Sequence, residues 1–192
     1  MRKLKLQVQL SLDGFAGGPN GELDWTVKSD EKLWQFMNEV ANTSGTLLLG
    51  RKMAEDFVGH FESFKPEHPR YSFAQKMVTI PRVIFSRTLD KPFGNNTSLA
   101  NGNLKEEITK LKNQPSSSSG ANDILVYGGA GFVASLIAGD HIDEYLFFIN
   151  PVMINTGLRI FDLLETRKKL SLISAVPYDC GLTVLHYSLN KE

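Results

Sequence analysis

The sequence predicts an α/β fold: a mixed, mostly parallel sheet with helices on both faces, ending in an antiparallel hairpin. Three observations lead there. Short apolar runs of strand length alternate with segments whose apolar residues recur at helical spacing. The last stretch breaks that alternation and reads as two strands joined by a turn. The chain has 192 residues and no internal repeat, which predicts one domain over residues 1–192 that buries roughly 70% of its unfolded surface without disulfide or metal.

The elements follow in order. Leu4, Leu6, Val8, Leu10 and Leu12 alternate with Lys5, Gln7, Gln9 and Ser11, a strand with two unlike faces. Asp13-Gly14 and Gly17-Gly18-Pro19-Asn20-Gly21 then break regular structure and predict a long loop. Ser29 with Asp30 and Glu31 predicts a helix start, followed by Leu33, Phe36, Met37 and Val40 at helical spacing. Thr46-Leu47-Leu48-Leu49 is a buried strand, then Gly50-Arg51-Lys52 leads into a helix around Met53 to Phe57. His60 to Tyr71 has no clear period and is read as loop. Arg82 to Ser86 is a further strand. Asn103 with Glu106 forms a variant capping box for a helix bearing Leu104, Ile108 and Leu111. Pro115 and Ser116 to Gly120 read as a flexible link, too short to separate domains. Asp123 to Tyr127 is a strand, Phe132 to Ala138 a helix and Glu144 to Ile149 a strand. Leu170 to Val176 and Leu182 to Ser188 form the hairpin around Asp179-Cys180-Gly181.

Composition narrows the partners. Lys plus Arg and Asp plus Glu both number 21, so the charge balance gives no reason to expect nucleic-acid binding. Cys180 is the only cysteine, so neither an internal disulfide nor a thiolate metal cage can form, and a reducing cytoplasm is the simplest setting. The N-terminus is basic but lacks the apolar block of a signal peptide, and no apolar run spans a membrane. His60, His68, His141 and His186 have neither metal-ligand spacing nor a nearby carboxylate pattern, so no metal is expected. Trp25 and Trp34 either line a pocket or simply pack.

Chemistry is expected where strands hand over to helices. Gly128-Gly129-Ala130-Gly131 is either a tight reversal or a cradle whose N–H groups hold phosphate. Gly50-Arg51-Lys52 sets two cations at a second such junction; these are an anion site or a solvated basic pair. Ser86-Arg87-Thr88 is a third. Three bends at successive strand ends match the rule that open α/β sheets bind ligands beyond their carboxyl edge. Asp13, after the first strand, is either a substrate or proton-handling acid or an ordinary Asp-Gly turn.

In this order, Leu4 to Asp13, Gly50-Arg51-Lys52-Met53, Ser86-Arg87 and Gly128-Gly129-Ala130-Gly131 resemble the dihydrofolate reductase-like fold over nearly the whole chain. Within it, Ser11-Leu12-Asp13-Gly14 and Gly21-Glu22-Leu23-Asp24-Trp25 are similar to the C-terminal reductase domain of the bifunctional riboflavin-biosynthesis deaminase/reductase and its stand-alone relatives. The resemblance implies NADPH across the carboxyl edge. Arg51, and Arg87 with Ser86, would take the 2′-phosphate, and Lys52 with Gly50 and the turn of Gly128, Gly129, Ala130 and Gly131 the pyrophosphate. It implies hydride transfer to a small heterocycle such as an aminouracil ribosyl phosphate, with a helix carboxylate, Asp30 or Glu31, beside the substrate; by its position after the first strand, Asp13 is the first candidate for a catalytic acid. A homodimer is also expected. The Asp-Asn-Pro stretch of the riboflavin reductases has no counterpart, the region reading Ala54-Glu55-Asp56-Phe57, and the deaminase zinc motif is absent. The alternatives are a dihydrofolate reductase and a non-catalytic nucleotide-binding protein.

Overall fold

The computed structural model describes residues 1–27, 30–115 and 122–190. In chain order the elements are β1 (Leu4–Ser11), α1 (Glu31–Thr43), β2 (Ser44–Gly50), α2 (Arg51–Glu62), α3 (Tyr71–Thr79), β3 (Arg82–Phe85), β4 (Thr97–Ala100), α4 (Leu104–Asn113), β5 (Asp123–Gly128), α5 (Ala130–Ala138), β6 (Glu144–Asn150), β7 (Leu170–Pro177) and β8 (Thr183–Leu189). They form an eight-stranded sheet in the order β4-β3-β2-β5-β1-β6-β8-β7. The six strands from β4 to β6 are parallel; β8 runs antiparallel to β6 and to β7. This is the mixed sheet with a terminal hairpin that the sequence predicts. The hairpin closes through Gly181, whose φ of +85° suits a residue without a side chain.

Two apolar layers hold the sheet. Leu4, Leu6 and Leu10 of β1 join Ile124, Val126, Val133, Leu136 and Ile137 beneath α4 and α5. On the other face, Leu47, Leu49, Leu125, Leu146 and Phe148 pack against Leu33 and Met37 of α1, Phe57 and Phe61 of α2, and Phe73 and Met77 of α3. The period of two in β1 therefore sends Lys5, Gln7 and Gln9 to this second face. Each fully buried Leu or Phe contributes on the order of 1.5–3 kcal/mol, so the two layers supply the main driving force.

The structure adds elements to the sequence reading. The helix predicted around Met53 to Phe57 runs on to Glu62, and the loop predicted from His60 to Tyr71 gives way to α3 at Tyr71. This helix starts at Arg70 without a side-chain cap, so it lacks the usual start signal. Its other end is fixed from a distance: the buried Arg82 guanidinium donates to Val78 O at 3.0 Å and to Met77 O at 3.4 Å, satisfying the last carbonyls. β4 is four residues long at the sheet edge, too short for a period to show. The start expected at Ser29 lies outside the described residues; the cap is Asp30, whose carboxylate accepts the Leu33 N–H at 3.0 Å. Ser116 to Gly120, read as a link, also lie outside them.

Candidate active site

Parallel strands bring their carboxyl ends to one edge, and there the predicted bends meet. Leu49 is level with Gly128 in the β2–β5 ladder, and Gly50 is level with Phe85 in the β2–β3 ladder. A methyl group on Gly129 would lie 3.3 Å from the Gly50 Cα, and one on Gly50 would lie 3.0 Å from the Phe132 Cβ. Phe85 stacks on Phe132 with ring centroids 4.8 Å apart, so the chain enters Ser86 from the same corner. The bends at residues 50–52, 86–87 and 128–131 are therefore brought together.

Two helices begin at this corner with bare amides. Gly50 caps α2 and Gly129 caps α5, and neither offers a side-chain acceptor to the first-turn N–H groups. No acid lies in the first turn of either helix; α2 instead starts with Arg51 and Lys52. Cations at a helix N-terminus oppose the helix dipole, so this arrangement stabilises the fold less than acids would and favours an anionic ligand. Arg51 Nη1 pairs with Glu55 Oε1 at 2.8 Å across one exposed turn. Such pairs contribute only about 0.3–0.5 kcal/mol, so a phosphate can recruit the guanidinium at little cost. Arg87 is exposed beside Ser86, whose Oγ accepts the N–H groups of Thr88 and Leu89 at 3.1 Å and shapes the bend. Bare amides with added cations suit the phosphates of a dinucleotide.

The predicted acids divide by environment. Asp13 is exposed but fully engaged. It accepts the Ser11 hydroxyl at 2.6 Å and the N–H groups of Ile154 at 3.2 Å and Asn155 at 2.8 Å. The Ser11 hydrogen bond, with the backbone donors, holds its carboxyl below the usual value, so it is anionic at neutral pH and ties the loop after β1 to the loop after β6. Ala16 N–H donates to Leu158 O at 2.8 Å in a second tie between these loops. Asp30 is buried and also held below its usual value, first by the Leu33 N–H and then by the Cys180 N–H at 3.3 Å. Glu31 is exposed at the mouth of a groove of about 990 Å³ between α1 and α3, where the Arg70 guanidinium lies 3.9 Å from the Trp34 ring centre. Asp13, Asp30 and Glu31 thus belong to loops and helix starts on the carboxyl edge but do not converge on a common atom.

One organising residue escapes sequence reasoning. Asn150, fully buried at the end of β6, donates from Nδ2 to Gln9 Oε1 at 2.8 Å and Phe148 O at 3.1 Å, and accepts the Val27 N–H at 2.8 Å. It fastens the long loop across the sheet edge. Asn150-Pro151 reads in sequence only as a strand end. Of the tryptophans, Trp34 lines the groove, while Trp25 donates from Nε1 to Glu22 O at 3.0 Å within its own loop. Although no histidine has a carboxylate near it in sequence pattern, His186 Nε2 lies 3.1 Å from Glu144 Oε2 across neighbouring strands. Among the described residues no group of three or more His, Cys, Asp or Glu could hold a metal ion, and no helix is long and apolar enough to cross a membrane.

Comparison with known proteins agrees with this architecture. The chain is 29% identical over 191 residues to the uncharacterised protein YyaP of Bacillus subtilis (strain 168), covering 98% of this chain and 96% of that one. Among solved structures, a protein of Shewanella sp. PV-4 assigned to riboflavin biosynthesis superposes with a TM-score of 0.77 at 21% identity, covering 100% of both chains. The diaminohydroxyphosphoribosylaminopyrimidine deaminase/5-amino-6-(5-phosphoribosylamino)uracil reductase of Thermotoga maritima gives 0.68 at 16% identity, covering 98% of this chain and 57% of that one. Dihydrofolate reductase of Enterococcus faecalis, in complex with NADP(H), gives 0.62 at 14% identity, covering 98% of this chain and 97% of that one. The family model of the RibD C-terminal domain matches residues 2–184. The chain therefore belongs to the RibD C-terminal domain family and has the dihydrofolate reductase-like fold.

Proposed function

We propose that the protein is an NADPH-dependent reductase that transfers hydride to a small heterocyclic substrate, most like the aminouracil ribosyl phosphate named for the Thermotoga relative. The observation that carries this reading is the meeting of two uncapped helix N-termini at the contact of Gly50 with Gly129, with Arg51 and Lys52 in the first turn of α2. Arg51, with Arg87 beside Ser86, would hold the 2′-phosphate. Lys52 and the amides of Gly129, Ala130 and Gly131 would hold the pyrophosphate. When bound, the nicotinamide supplies the hydride. The chain supplies position and exclusion of water. Asp13 and Asn150 hold the loop after β1 in place over the sheet edge. Asp13, already anionic, serves orientation, while Glu31 is the carboxylate open to a substrate proton.

The test is consumption of NADPH followed at 340 nm (the ordinary absorbance of the reduced nicotinamide) with the aminouracil ribosyl phosphate and, separately, with dihydrofolate. Turnover with the first and none with the second is expected. Turnover with dihydrofolate alone replaces the substrate assignment. No saturable binding of NADPH overturns the reductase reading entirely.

A further inference from the structure

The two edges of the sheet end differently. At one edge β4 is four residues long and its last residue, Ala100, is buried. At the other, β7 runs for eight residues with β8 on one side and no strand on the other among the described residues. Successive side chains of a strand point to opposite faces, and every residue from Ser171 to Pro177 is exposed, so neither face of β7 is covered. Yet Leu170-Ser171-Leu172-Ile173-Ser174-Ala175-Val176-Pro177 carries no charge. Leu172 is 57%, Ile173 51% and Val176 41% exposed. Proteins guard a solvent-facing edge with short strands, charged side chains, proline or a bulge. In β7 proline stands only at the end, and the irregularity between Leu172 and Ser174 leaves Ile173, an apolar residue, without a register partner in β8. Such an edge, with its row of outward N–H and C=O groups, is a template for another strand.

The apolar surface continues inward from the edge. The ladders set Leu172, Tyr187 and Tyr145 in one row and Ala175, Leu185 and Phe147 in the next, on one face. Phe161 extends that face over Phe147, with ring centroids 6.0 Å apart. The hairpin is also anchored at its tip: the Cys180 N–H donates to Asp30 at 3.3 Å, and Asp179 pairs with Lys32 at 3.2 Å. The surface is therefore held in place by the chain itself, which lowers the ordering cost of binding.

Charge at the two ends of β7 selects the partner. Arg167, Lys168 and Lys169 precede the strand and Asp179 follows it. In an antiparallel pair of two β7 strands centred between Ile173 and Ser174, Lys168 and Asp179 stand symmetrically about the centre. The basic segment of each copy then meets the acidic tip of the other, whereas a parallel mate would set like charges together. A twofold axis generates the antiparallel arrangement, so the surface is complementary to itself. Eight residues extend about 27 Å. That is the span of a standard interface, whose roughly 800 Å² per partner is a patch about 30 Å across.

We propose that β7 is the dyad strand of a homodimer: it pairs antiparallel with β7 of a second copy and joins the two eight-stranded sheets into one. The backbone edges supply hydrogen bonds, Leu172, Ile173 and Val176 supply apolar burial, and the charged ends set the register. This pairing stands independently of the reductase reading.

Sedimentation velocity on the full chain, over roughly a hundredfold range of micromolar concentration, tests it. The wild type is expected at twice the 21.4 kDa chain mass. Ile173→Lys sets two ammonium groups side by side at the dyad and should weaken the dimer at least about a hundredfold. Its far-UV circular dichroism should be that of the wild type, because residue 173 is exposed in the single chain. Leu12→Lys, at an equally exposed residue three strands away, should remain dimeric. Lys169→Glu and Asp179→Lys should each weaken the dimer roughly three- to tenfold, and the two together should restore it. In the wild type, amide hydrogen exchange across Leu170–Pro177 should slow as concentration rises. A monomeric wild type, a dimer that survives Ile173→Lys or is lost in Leu12→Lys, a double reversal no tighter than the single ones, or exchange in β7 that ignores concentration overturns the proposal.

Discussion

Gly131 separates what the fold requires from what a ligand requires. It sits in the first turn of α5, is exposed, and has no atom within 4 Å of the position a methyl group would take. The protein's own packing gives no reason for glycine there. Alanine favours a helix by up to about 1 kcal/mol, and by less near an end, so Gly131→Ala should leave stability unchanged or raise it by about 0.5 kcal/mol. If the pyrophosphate approaches the amides of Gly129 to Gly131, the added methyl group stands in its path. Losing a charge-assisted contact there costs on the order of 1.5–3 kcal/mol, or roughly ten- to a hundredfold in NADPH affinity. Two comparators bracket the result. Gly129→Ala must hold a φ of +94° and meet the Gly50 Cα at 3.3 Å, so it should lose about 1–3 kcal/mol of stability as well as coenzyme affinity. Gly59→Ala, in α2 with nothing within 4 Å, should gain up to about 1 kcal/mol and bind NADPH normally. Urea unfolding midpoints and NADPH fluorescence titrations read both quantities. Wild-type NADPH affinity in Gly131→Ala would refute the placement of phosphate at this turn.

Two further outcomes follow from the same geometry. Arg51→Ala should weaken NADPH by about 1.5–3 kcal/mol and NADH much less, because only the former carries the 2′-phosphate; equal weakening in parallel titrations would place the guanidinium elsewhere. Asp30→Ala removes the cap of α1 and the tie to Cys180 and should cost about 0.5–2 kcal/mol at pH 7, read by urea unfolding. Because the folded-state value of Asp30 is depressed, that contribution is present above the ordinary carboxylate value of the unfolded chain and is lost as pH falls through the lower, folded value. The difference between wild type and variant should therefore narrow in acid, and a gap that stays constant down to full protonation would deny the carboxylate its role.

The legible parts of this chain are those where local pattern and tertiary use agree. In β1 the alternation of Leu4, Leu6 and Leu10 with Lys5, Gln7 and Gln9 is the alternation of the two sheet faces. Gly50 and Gly128 to Gly131 mark strand-to-helix junctions in sequence because the conformations and contacts there tolerate no side chain at Gly50 and Gly129. What local pattern misses is fixed from far along the chain. The last turn of α3 is satisfied by Arg82, and the loop ending at Val27 is held by Asn150, 123 residues away. Asp13 shows the same limit. Its Asp-Gly setting suggests a turn or an acid, but only the folded chain brings Ile154 and Asn155 to its carboxylate.

A crystal structure of the protein with NADP⁺ should show the pyrophosphate over the amides of Gly129 to Gly131 and Lys52, with the 2′-phosphate within hydrogen-bond distance of the Arg51 guanidinium. Coenzyme bound in the groove between α1 and α3, or at the amino edge of the sheet, would refute this placement.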